Sequence, residues 1–276
     1  VLDDIADSFD YKNKFAIIEY IKELHEEGIF KIIMLTHNFD FYRTIASRLS
    51  LPHDSVYMAT SCDERKIKLH KGQYRKDVFS YFLQHVRQKK IFISLIAFIR
   101  NIIEYTEGSN SDDYVTLTSC LHVKEVSDSL TVKEIFDIYK KRFPILKGEQ
   151  LNFNSEEKIL NLIHETAKSI CAENSPNEIY LENKIVLAIA IRLTAEEYML
   201  RKLSEDFDPE TIESNQTQEL YKAYKMKFMN SPSLSILDRV NLMTPENIHI
   251  NAFMYEPLID MSVHHLILLY KELDML

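Results

Sequence analysis

The stretch that most constrains the fold is the first thirty-seven residues. Val1-Leu2-Asp3-Asp4 is an apolar run ending on two adjacent carboxylates, and Ile29-Phe30-Lys31-Ile32-Ile33-Met34-Leu35 is a second apolar run ending on Thr36-His37. Between them Phe15, Ile17, Ile18, Ile21 and Leu24 recur at helical spacing over Lys12 to Glu27. Asp10 offers its carboxylate to the free amides of the first turn, and Gly28 ends the helix. Two strands joined through a helix pair in parallel, and strands this apolar predict a sheet buried by helices.

The residues leaving the two strands suit phosphoryl chemistry. Mg²⁺ prefers oxygen ligands in a near-octahedral shell and keeps several waters, so a carboxylate at a strand end, here Asp3, can hold it against nucleotide phosphates. A second carboxylate, Asp4, can orient or deprotonate water. His37, leaving the neighbouring strand 33 residues beyond Asp4, can give a hydrogen bond to a γ-phosphate where charge develops.

Against the ABC-type pattern L-D-E-P-T-S-A-L-D, Leu2 to Asp10 matches without a gap: Leu2-Asp3-Asp4 for L-D-E and Asp7-Ser8-Phe9-Asp10 for S-A-L-D. With His37, the series resembles a Walker B, D-loop and H-loop. Asp4 replaces the usual glutamate, which sets its carboxylate back by one methylene. Residues 1 to 70 thus resemble the C-terminal half of the ATPase head of structural-maintenance-of-chromosomes-like and RecF/RecN-like ABC ATPases. The likeness is greater to AAA-type ATPases of phage-defence and anticodon-nuclease systems, where a helical domain follows the head directly.

The resemblance implies Mg²⁺ on Asp3, catalytic roles for Asp4 and His37, and nucleotide or dimer contacts from Asp7, Ser8 and Asp10 in a homodimer closed by an ATP sandwich. It implies ATP and Mg²⁺ as cofactors of the complete protein. The four glycines (Gly28, Gly72, Gly108, Gly148) form no G-x-x-x-x-G-K-S/T loop, and no signature motif is present. The expectation is therefore a chain that binds no nucleotide alone and is completed by an N-terminal ATPase half.

Further along, Asn38 is positioned to cap a helix to Leu49, and Val56–Thr60 and Arg65–His70 read as two strands. Beyond Gly72 the pattern is helical: 74–107 without a break, then about 131–142, 155–173 capped by Ser155, 178–205, 209–229 and 258–275. The expected fold class is an α/β ATPase half-lobe, a parallel sheet with flanking helices over residues 1–73, followed by a larger all-α domain over 74–276.

Composition restricts the function classes. The 276 residues are 46% apolar and 27% charged, a globular composition, and no apolar run approaches a membrane span. Three cysteines without a C-x-x-C pair suit a reducing, cytoplasmic compartment and no membrane partner. The net charge of −9 disfavours uniform coating of nucleic acid.

Anticodon nucleases use an arginine, a glutamate and a histidine in the helical domain, and the resemblance directs attention to Arg100 and Glu104, four apart on one helix, with His122, His164 or His249 as the histidine. Arg192 and Glu196 repeat the spacing. An arginine can steady a scissile phosphate while a glutamate and a histidine move protons, whereas a simple helix pair needs only its own two residues. Three functions follow: an ATP-driven switch acting on an effector protein or on DNA, an ATPase-controlled ribonuclease acting on tRNA or another RNA, or a degenerate lobe serving as a dimerisation platform.

Overall fold

The computed structural model describes residues 1–5, 11–62, 66–72, 78–173, 180–203, 207–208, 211–212, 214–243, 258 and 261–276. The chain divides into two compact units, Val1–Val78 and Phe79–Leu276, against the expected division after residue 73.

In the first unit, β1 (Leu2–Asp3) and β2 (Met34–Leu35) pair in parallel, with Leu2 opposite Met34 and Asp3 opposite Leu35. Helix α1 (Tyr11–Glu26) connects them and α2 (Phe39–Arg48) follows. Gly28, at φ 69, takes the left-handed conformation after α1 that a side chain would disfavour. Ile18 and Ile21 of α1 and Phe41 and Ile45 of α2 form the core, and Leu2, Ile32 and Met34 pack against it. Successive strand residues point to opposite faces, so Ile33 and Leu35 turn away from both helices. They are 59% and 51% exposed.

The expected seven-residue buried strand is thus corrected. Only Met34 and Leu35 are in strand geometry, because β1 offers two residues to pair with, and Ile29 and Phe30 lie exposed. Val1 is exposed as well, and Leu2 is half-buried. Strands β3 (Tyr57–Cys62) and β4 (Lys66–Lys71) form a separate antiparallel sheet and do not extend the parallel one. Gly72 is needed where that sheet closes, since a Cβ there would lie 2.6 Å from Tyr42 Oη and 2.7 Å from Val56 Cγ1.

The second unit is helical: α3 (Val78–Gln84, opening at the boundary), α4 (Lys89–Glu107), α5 (Asp112–Thr118), α6 (Val132–Arg142), α7 (Ile159–Ala172), α8 (Leu181–Leu203), α9 (Gln216–Lys227), α10 (Leu234–Met243) and α11 (Val263–Asp274). Helix α8 is its axis. It is buried on every side from Leu181 to Leu193 and packs against α4, α7, α9, α10 and α11. A helix buried all round belongs in a core, and α8 carries Glu182, Asn183, Lys184 and Arg192 into it among its apolar residues.

Three sequence expectations fail here. The continuous helix over 74–107 is broken between α3 and α4 without glycine or proline: Val86 turns inward to full burial and Gln88 adopts an extended conformation, so packing overrides propensity. Between the helices expected up to 107 and from about 131, where none was expected, α5 opens at Asp112. The helix expected from Ser155 starts at Ile159, because the carbonyls of Ser155 and Glu157 accept from Lys133 and Val132 at 2.8 and 2.9 Å. Those amides are the unpartnered donors of α6's first turn, and satisfying them holds residues 155–158 out of a helix. Helix α6 is further fixed by a capping box, Thr131 with Glu134.

Candidate functional site

Two clusters hold the residues singled out from the sequence, one in each unit. In the first, the parallel pairing of β1 and β2 delivers Asp4 and His37 to the same end of the sheet. The amide of Asp4 donates to Leu35 O at 2.9 Å, which carries the register past the last strand residue. Asp4 then turns into the left-handed region at φ 45, and its carboxylate folds back on His37. The His37 amide donates to Oδ1 and the ring Nδ1 lies against Oδ2, each at 3.1 Å.

Aspartate tolerates this conformation better than most residues, yet an isolated left-handed aspartate at a strand end is worth functional scrutiny. The backbone hydrogen bond from His37, then the bond from its ring, hold the Asp4 carboxyl below its ordinary range. Both side chains remain open to solvent, His37 more than Asp4. The residues flanking His37 are tied to α2: Thr36 Oγ1 accepts from the Asn38 amide at 3.1 Å, and Asn38 Oδ1 accepts from the Phe41 amide at 2.9 Å, capping the helix. Asp3 sits beside Asp4, exposed at the end of β1. Asp7, Ser8 and Asp10 lie outside the described residues.

One exposed carboxylate fits Mg²⁺ that is completed by nucleotide phosphates and water, the common mode for this ion. Among the described residues no group of three or more His, Cys, Asp or Glu side chains could hold a metal alone.

In the helical unit Arg100 and Glu104 are more than a bare surface pair. Arg100, mostly buried on α4, donates from Nε to Thr118 Oγ1 at 3.0 Å, from Nη1 to Glu104 at 3.4 Å and from Nη2 to Tyr114 Oη, and its guanidinium stacks over the Tyr114 ring at 4.5 Å. Tyr114 Oη donates to Glu104 at 3.4 Å. These contacts clamp α4 to α5 across the turn at Gly108.

His122 goes to a different glutamate. Its Nδ1 donates to Glu196 Oε1 at 2.7 Å, and Glu196 is fully buried on α8. Three further donors converge on that carboxylate: the Val123 amide at 2.9 Å, Gln216 Nε2 at 2.8 Å and Thr217 Oγ1 at 2.6 Å. Gln216 Nε2 also donates to Val123 O at 2.8 Å, which fixes its amide orientation. Glu196 also lies at the amino end of α9, where the helix dipole favours negative charge. Burial alone would raise its pKa; the charge and hydrogen bond of His122, with Thr217 and Val123, outweigh that and lower it. A carboxylate bonded to imidazole Nδ1 fixes the ring's tautomer and orientation.

The two helical clusters are neighbours along the chain. Thr118, Arg100's partner, and His122 sit one helical turn apart, the His122 amide donating to Thr118 O at 3.0 Å. Of the other candidates, His164 Nε2 lies 3.4 Å from Glu197 Oε1 without hydrogen-bond alignment, and Arg192 is buried on α8. His249 lies outside the described residues. The Glu196 site was visible in sequence only as an arginine and an acid interrupting an apolar helix. Gln216 and Thr217 gave no signal.

Comparison of the chain with protein-family models, with curated proteins and with solved structures gave no match. Among the described residues no helix is long and apolar enough to cross a membrane.

Proposed function

We propose that the first unit is the metal-binding and switch end of an ATP-hydrolysing lobe, and that the helical unit answers to its nucleotide state. The observation that carries this reading is the grip of the Asp4 carboxylate on both the amide and the ring of His37, at the shared end of two parallel strands and beside Asp3. Asp3 would hold Mg²⁺, which when bound neutralises phosphate charge. Asp4 would orient or deprotonate the attacking water, and His37 would stabilise charge at the γ-phosphate. The phosphate-cradling loop, which none of the 276 residues supplies, would come from a second ATPase half, with Asp7, Ser8 and Asp10 facing a second copy across the nucleotide. Calorimetric titration tests the division of labour. The 276-residue chain should bind Mg²⁺-ATP more weakly than millimolar, and a micromolar dissociation constant would reject it.

A second reading, an RNA-cutting effector in the helical unit, is favoured by one observation: His122 is held at Nδ1 by buried Glu196, one turn from the Thr118 that Arg100 engages. Arg100 would steady a phosphate and His122 would move protons. Expression in bacteria tests it. Wild type should arrest growth and cleave structured RNA, and Arg100→Lys and His122→Gln, with helical circular dichroism retained, should do neither. Equal toxicity of both variants would leave the unit as a transmission element.

A further inference from the structure

We draw no further inference here: the strongest candidate, the open apolar face of the parallel strand pair at Ile29, Phe30, Ile33 and Leu35, carries none, since nothing in the structure shows what covers it.

Discussion

Replacing Glu196 with alanine should be among the most damaging single changes in the helical unit. The carboxylate has no solvent exposure and receives four hydrogen bonds, from His122, Val123, Gln216 and Thr217. Glu196→Ala removes the shared acceptor of all four donors, of which Gln216 keeps its bond to Val123 O. A stranded buried donor costs about 1–3 kcal/mol, and breaking a buried charge pair costs about 3–5 kcal/mol. The donors share one site, so the costs overlap, and we expect a total loss of about 3–5 kcal/mol, a large part of the ~5–15 kcal/mol typical of a folded domain.

In urea, with a slope of about 2–3 kcal/mol/M, the midpoint followed by far-ultraviolet circular dichroism should fall by roughly 1–2 M. Glu197, next in sequence but 44% exposed at its side chain and only loosely paired with His164, is the control. Its alanine variant should lose under about 1 kcal/mol. A Glu196→Ala shift below about 0.3 M, or equal shifts for the two variants, would show that the buried carboxylate does not hold this part of the helical unit together.

The pH dependence follows from the same contacts. Glu196's folded pKa lies below its unfolded value of about 4.3, so its contribution is full above that pH and is lost as pH falls through the lower folded value. The gap between wild type and Glu196→Ala should close as pH falls below about 4.3.

Other outcomes separate packed from open surface. Ile21→Ala, in the core between α1 and α2, should cost about 2–5 kcal/mol, whereas Ile33→Ala on the open strand face should cost under about 1 kcal/mol by the same denaturation assay. Thr131→Ala removes half of the α6 capping box and should lower stability by about 1 kcal/mol, read as a shift in thermal midpoint. Burial pushes the Cys171 thiol up to about 11 and Cys120 higher still, so neither should react with iodoacetamide at pH 7.5 in the folded chain within a period that labels the urea-unfolded chain fully.

What could be read from the sequence divides along the range of the forces involved. Helical periodicity between two apolar runs was enough to anticipate a parallel strand pair, because a helical crossover leaves little alternative, whereas the bonds between Asp4 and His37 were not legible. The extent of β2 was not legible: Ile29 to Ile33 have strand-forming side chains, but pairing goes only as far as a neighbour reaches. The start of α7 was missed because Ser155 and Glu157 serve the amides of α6, a contact between segments more than twenty residues apart. Arg100 and Glu104 were legible as a pair, yet Tyr114 and Thr118, which decide what the pair does, carry no motif. The partnership of Glu196 with His122 spans 74 residues and required the packing of α8 to become visible.

Whether Asp4 and His37 belong to an ATP-hydrolysing centre is decided by steady-state turnover of Mg²⁺-ATP by this chain combined with an ATPase half that supplies the phosphate loop. Wild type should hydrolyse ATP. Asp4→Asn should bind ATP but turn it over about 10²–10⁴-fold more slowly, as for loss of a general base, and His37→Ala about 10²–10³-fold more slowly, as for loss of a hydrogen bond to developing charge. No hydrolysis by wild type, or turnover unchanged in both variants, would contradict that assignment.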